Sequence, residues 1–245
     1  MKRNLKLILT YDGTDFFGWQ IQPGRRTVQG ELKKAIHTMT GEDTNIIGAG
    51  RTDAGAHAIG QVANFETNSK IPACAFQRGL NSLLPDDIVV LGCQEVPPDF
   101  HARYSAKKKA YRYIVLNRPL PDPLKRNYVW HVKNPLDIKA MNESCRRIIG
   151  EHDFSSFMAS GSNVKTTCRT VYRALWKREG ELHIFEIEAN GFLRHMVRNI
   201  VGTIVCVGLR KIRPAEIDTI LAKKDRSAAA STAPAQGLYL ISVTY

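Results

Sequence analysis

Cysteine is scarce in this 245-residue chain, and none of it is grouped. The five cysteines stand at 74, 93, 145, 168 and 206, never closer than 19 positions. With no C-x-x-C and an odd count, neither a disulfide framework nor a zinc knuckle is expected, and the thiols read as reduced and mostly buried. The seven histidines contain no H-x-x-x-H pair, so no metal is expected. Nucleotide loops are missing too. A G-x-G-x-x-G pattern starting at Gly48 would need a third glycine at position 53, where Asp53 stands, and no G-x-x-x-x-G-K-[ST] occurs. Neither NAD nor ATP is implied, and no cofactor is expected. Long hydrophobic runs are absent as well: Met196–Leu209 is short for a membrane span and carries Arg198 and Asn199. The chain opens with Leu5, Leu7 and Leu9 set between Lys6, Ile8 and Thr10, nearer a strand than a leader peptide. A soluble, cytoplasmic protein with no membrane partner is the expectation.

What is present is a globular composition, 43% apolar and 24% charged, long enough for one large domain or two ordinary ones. The net charge of +12 is distributed unevenly. Residues 1–104 carry 11 basic and 11 acidic side chains, whereas residues 105–245 carry 24 and 12. General solubility does not require such one-sidedness; a polyanionic partner does, nucleic acid before an anionic membrane surface.

Periodicity predicts strand, helix, strand, helix, strand for the first part. The strands are Leu5–Tyr11, Gln61–Thr67 and Ile88–Val96. One helix is capped by Thr27, with Val28, Leu32, Ala35, Ile36 and Met39 inward. The other is opened by Pro72 and closed by Pro85, with Phe76, Leu80, Leu83 and Leu84 on its apolar side. The second part reads as strand Ala110–Asn117, helix Leu136–Ile149, a hairpin turning at Glu179-Gly180, a buried helix Leu193–Val207, a short helix near Pro214–Lys223 and strand Leu238–Tyr245. Two tandem α+β domains follow, 1–104 and 105–245. The Ala/Ser/Thr/Pro-rich segment Ser227–Gln236 reads as an ordered surface connection without assigned function.

Four segments carry more chemistry than packing needs. Gly48–Ala58 sets Asp53 among very small residues, with Arg51 two positions before and His57 four after. Such a loop permits close approach of another molecule, and a lone acid on it is either a site carboxylate or a cap. Tyr111-Arg112-Tyr113 follows the basic run Lys107–Lys109, so its rings either stack on unpaired bases or pack a sheet face. Arg194 and Arg198, four apart at the start of the buried helix, share a face and need an anion, from a structural acid or from a site such as Asp53. Phe16-Phe17-Gly18-Trp19-Gln20 forms an aromatic loop after the first strand.

In order, Tyr11-Asp12-Gly13, Phe17–Gln20, Thr27-Val28-Gln29, Gly50–Gly55, His57-Ala58, Phe100–Arg103, Tyr111–Tyr113, Phe192–Arg198 and Gly237–Leu240 make the chain resemble the tRNA pseudouridine synthase A family nearly end to end. The resemblance implies two tandem α/β-sandwich (ferredoxin-like) units with a central cleft, the pseudouridine synthase fold. It implies isomerisation of uridine to pseudouridine at positions 38, 39 and 40 of the tRNA anticodon stem-loop, without metal or cofactor, by a homodimer whose basic clefts grip tRNA. Asp53 matches the catalytic aspartate, Tyr111 the tyrosine that stacks on the target base, Arg51 the arginine associated with displacing the nucleotide, and Arg198 the basic residue paired with the aspartate. Ala56 and Ile59 depart from the family's usual valine and leucine, and the stretch before Cys168 is less typical.

Two other readings compete. A non-catalytic RNA-binding protein would account for the charge but not for the acid on a glycine-rich loop. A metal-dependent nuclease built on Asp53 and His57 would need more ligands than that loop offers.

Overall fold

The computed structural model describes residues 2–161 and 164–245. It divides into two compact units. The first runs as far as Lys107 and includes Tyr239–Tyr245; the second is Lys108–Leu238.

In the first unit the elements are β1 (Arg3–Tyr11), α1 (Val28–Thr40), β2 (Ile47–Gly48), β3 (His57–Thr67), α2 (Ala73–Leu83) and β4 (Ile88–Val96). The sheet order is β4-β1-β3 with β2 on β3, all antiparallel neighbours. This is the β-α-β-β-α-β arrangement of a ferredoxin-like sandwich. The alternation seen in β1 decides its faces: Leu5, Leu7, Leu9 and Tyr11 are buried. Against them lie Leu32 and Ile36 of α1, Phe76 and Leu80 of α2, and Phe65 of β3, all withdrawn from solvent. Thr27 caps α1, its Oγ1 accepting from Gly30 N at 3.3 Å. Of the residues expected inward, Met39 is only half-buried and Leu83 is exposed.

The opposite face of that sheet is covered by residues 97–105. Asn4 Nδ2 donates to the carbonyls of Pro97 and Phe100, and Asn64 Oδ1 accepts from Ala102 N at 2.8 Å. Two buried amides therefore read the backbone of the Phe100–Arg103 motif. Ala102 lies in a small cluster with Ala49 and Val62.

The second unit holds β5 (Lys108–Asn117), β6 (Trp130–Val132), α3 (Ile138–Ile148), β7 (Gly150–Asp153), β8 (Cys168–Glu179), β9 (Leu182–Ala189), α4 (Met196–Gly208) and α5 (Glu216–Lys223). Its sheet runs β5-β9-β8-β7, antiparallel throughout, with β6 parallel to β5. β5, α3, β8, β9 and α4 repeat the β-α-β-β-α succession of the first unit. The final strand, β10 (Leu238–Thr244), lies parallel to β3 through Tyr239 opposite His57 and Leu240 opposite Ala58.

The α+β class and the tandem units are as the sequence predicts. Four details differ. β3 begins at His57 rather than Gln61: His57 and Ala58 pair with β10, and Ala58 also with Tyr11 of β1. The two-to-four-residue strands β2, β6 and β7 were too short to leave a period. Ile149, included in the expected helix Leu136–Ile149, lies just beyond α3 and is exposed. The thiols are not mostly buried: Cys145 is, Cys93 and Cys206 are half-buried, and Cys74 and Cys168 are exposed near the starts of α2 and β8.

Candidate active site

Asp53 lies on the loop between β2 and β3, half-exposed, on backbone fastened at both sides. Thr52 Oγ1 lies 2.8 Å from the buried hydroxyl of Tyr11, and Gln61 Nε2 donates to Gly50 O at 2.9 Å and to the same hydroxyl at 3.4 Å. Burial pushes the Tyr11 hydroxyl up to about 12, with the Thr52 and Gln61 bonds acting the other way, so it stays a protonated donor at neutral pH.

The aromatic loop closes over the same backbone. Trp19 N donates to Thr52 O at 3.1 Å, and Gly55 N donates to Phe16 O at 3.2 Å. The fit leaves no room for side chains at two glycines. A Cβ on Gly13 would lie 1.9 Å from Ala56 O; one on Gly18, whose φ is +86°, would lie 2.6 Å from Thr52 O. Phe16 and Trp19 are buried, as rings that cover a core edge should be, whereas Phe17 is 45% exposed with the Arg25 guanidinium 4.4 Å from its centroid. Arg26 stacks on Phe16 and makes a two-pronged bond to Asp87, which raises the Arg26 pKa above its ordinary value.

His57 is not a surface ligand. It is 2% exposed, stacks on Tyr239 at 4.7 Å, and its Nδ1 accepts from Gly13 N at 3.0 Å. That amide hydrogen is fixed, so the 3.1 Å approach of Asp12 Oδ1 to the same nitrogen is not an ion pair with a protonated Nδ1. Among the described residues no group of three or more His, Cys, Asp and Glu side chains is arranged to hold a metal ion. Arg51 is exposed and makes no ion pair with any described carboxylate.

Tyr111 and Arg198 belong to the second unit. Tyr111 is 8% exposed on β5 and meets Phe192 edge-on at 5.0 Å. Tyr113, two residues on and therefore on the same face, is fully buried and donates its hydroxyl to Pro234 O at 2.7 Å. Burial also drives the Tyr113 hydroxyl pKa well above its ordinary value. Arg198 is on the first turn of α4, half-buried, with Nε donating to Ala233 O at 2.8 Å. Arg194 does not share its helical face. α4 starts at Met196, after a turn in which Met196 N bonds Leu193 O and His195 adopts φ +61°, so Arg194 lies outside the helix and is exposed. A histidine held in the left-handed region is a strained position that no local pattern announced. No helix among the described residues is long and apolar enough to cross a membrane.

Comparison with known proteins shows the family. A family model described as tRNA pseudouridine synthase matches residues 7–105 and 145–245. Arg51, Asp53 and Arg198 fall inside those segments and Tyr111 between them. The chain is 54% identical over 243 residues to tRNA pseudouridine synthase A of Thermoanaerobacter sp. (strain X514), covering 99% of this chain and 100% of that one. It is 50% identical to the protein of the same name from Acetivibrio thermocellus and 48% identical to that of Caldicellulosiruptor bescii, each over 243 residues with the same coverage. The interlocked acid loop and the arginine-bearing helix thus sit in a chain that belongs to the tRNA pseudouridine synthase family, isomerases that turn uridine into pseudouridine.

Proposed function

We propose that this protein converts uridine to pseudouridine at positions 38, 39 and 40 of the tRNA anticodon stem-loop, with Asp53 as its catalytic carboxylate. The observation that carries the assignment is the way Asp53 is presented. A half-exposed acid stands on backbone bolted to Tyr11, Gln61 and Trp19, as a group that must meet a reacting atom in fixed geometry should. The reaction breaks the bond between N1 and C1′, turns the base, and joins C5 to C1′ while a proton passes from C5 to N1. Nothing is oxidised and no phosphate is transferred, so one carboxylate suffices as nucleophile or base and no metal or cofactor is assigned.

Arg51, exposed beside Asp53, is assigned to displacement of the target nucleotide, and Tyr111 to stacking on the extruded base. Unstacking costs roughly a few kcal/mol, which such stacking offsets. Arg198 is assigned to the charge on Asp53, since a cation favours the ionised form of an acid. The basic excess of residues 105–245 suits a polyanionic substrate, and we read 1–104 and 105–245 as the two domains, the last strand returning to the first. A cytoplasmic homodimer is assigned from the resemblance.

The test is carbodiimide-adduct primer extension on unmodified tRNA incubated with EDTA and either wild type or Asp53→Asn. Stops at the anticodon-stem uridines with wild type alone are expected. Absence of stops with both proteins, despite tight binding, would leave an RNA-binding module without activity.

A further inference from the structure

The segment after α5 looks unremarkable in sequence: Arg226, then mostly alanine, serine, threonine and proline up to Gly237. In the folded second unit it is a strap laid across α4. Ser231 O comes so close to Gly202 that a Cβ there would lie 2.0 Å from it, so the strap is seated in the notch of a helical glycine. Its later half is fastened through two consecutive residues, Ala233 and Pro234, to Arg198 of α4 and Tyr113 of β5. Tyr113 Oη donates to Pro234 O at 2.7 Å, and Gly237 packs on the Tyr113 ring. One residue earlier, Ala233 meets Arg198 twice: Ala233 N donates to Arg198 O at 3.1 Å, and Ala233 O accepts from Arg198 Nε at 2.8 Å.

Side chains hold Ala233 in that place. Thr232 Oγ1 donates to Asn199 Oδ1 at 2.6 Å, and the Arg226 guanidinium reaches both that oxygen and Thr232 Oγ1 at 3.1 Å. Arg226 also ties the strap to itself through Ala229 O, and Asn199 Nδ2 is anchored on Phe157 O at 2.8 Å. Asn199 and Thr203 are fully buried, and Ala230 N bonds Thr203 Oγ1 at 3.2 Å. A guanidinium has five N–H donors in a rigid plane. Fixing Nε on a carbonyl fixes that plane, and an anion must then be met from the Nη1/Nη2 end.

We propose that Thr232, with Arg226 and Asn199, is a positioning set for the reaction: by holding Ala233 O against Nε it sets the plane in which Arg198 presents its charge. The inference rests on the assignment of Arg198 made above. Thr232 touches no reacting atom; it acts through Ala233 and Arg198.

Thr232→Val keeps the side-chain shape and removes the hydroxyl, while Thr232→Ser restores it. In single-turnover reactions with enzyme in excess, Thr232→Val is expected to slow pseudouridine formation about tenfold, with tRNA binding changed less than about twofold, and Thr232→Ser to recover most of the rate. In an Arg198→Lys background, which has no guanidinium plane to set, adding Thr232→Val should change the rate less than about twofold. An equal loss in both backgrounds, a loss that Thr232→Ser does not recover, or an undiminished rate overturns the proposal. If Arg198→Lys alone runs at the wild-type rate, the assignment of Arg198 has failed and the strap's role fails with it. If Arg198→Lys is slow and the two losses multiply, the positioning set alone is wrong.

Discussion

Around Asp53 the first unit is held by close main-chain approach, to which Tyr11 and Gln61 add side-chain bonds. Trp19 N bonds Thr52 O, Gly55 N bonds Phe16 O, and two glycines leave no space for a Cβ. Around Arg198 the second unit relies on side chains: Thr232, Asn199, Arg226 and Tyr113 hold one short strap. The first arrangement has no space for one added methyl at Gly13 or Gly18. The second is open to graded change, one hydroxyl at a time. The charge differs in the same sense, with 11 basic and 11 acidic residues before Ser105 and 24 against 12 after it. On the proposed function, the catalytic carboxylate belongs to the neutral part and the charge that suits a polyanion to the basic part.

The sharpest way to break this contrast is to remove the acid without touching its mounting. Asp53→Asn is isosteric, so turnover is expected to fall by about three orders of magnitude or more while melting temperature and tRNA affinity stay near wild type. Retained activity would take Asp53 out of the chemistry. Next comes the mounting itself. Gly18→Ala must force a methyl to 2.6 Å from Thr52 O at φ +86°, which is expected to cost about 2–4 kcal/mol and most of the activity. Gly24→Ala is its control: φ is +68° there too, but nothing lies within 4 Å of the added Cβ, so about 1 kcal/mol and unchanged activity are expected. Equal costs at the two positions in chemical denaturation would mean that the close approach to Thr52 is not what holds the loop.

Much of this was legible in the sequence wherever the signal was local. Leu5, Leu7 and Leu9 alternate, Thr27 precedes an apolar helical stripe, and Glu179-Gly180 splits two strand-like runs; each became the element its own neighbours dictated. Asp53 stood out because a carboxylate among glycines has little packing to do. The rest depends on partners remote in sequence. Gly13 and Gly18 read as ordinary loop glycines until Ala56 and Thr52 are brought against them. His57 and Ala58 are strand because β10, and for Ala58 also Tyr11 of β1, lies alongside. The strap's alanines and threonine carry no period, and its order comes from a notch in α4 and three polar side chains.

Tyr113→Phe probes the side-chain mode of fastening. It deletes one hydroxyl that donates to Pro234 O and leaves the ring on Gly237, so a loss of about 1 kcal/mol is expected in urea denaturation, well short of the Gly18→Ala cost. A Tyr113→Phe variant as unstable as Gly18→Ala would erase the distinction between graded and all-or-none mountings.

The smallest expected effect concerns pH and separates the units by a buried base. His183 on β9 is 4% exposed, its Nδ1 has no hydrogen-bond partner among the described residues, and burial, then the charge of Arg178, lowers its pKa below the usual 6.5. The unfolded chain therefore takes up a proton near pH 6.5 that the folded chain still refuses. With more protons bound to the unfolded state, the contribution of His183 to stability is fully present above that pH and is lost as pH falls below it. Replacing it by leucine removes this dependence and nothing else that titrates. Unfolding free energies measured from pH 7.5 down to 5 should therefore fall more steeply for wild type than for His183→Leu. The comparison uses slopes, so any constant cost of repacking the sheet cancels. Parallel curves would mean that the folded second unit accepts a proton at His183 as readily as the unfolded chain does.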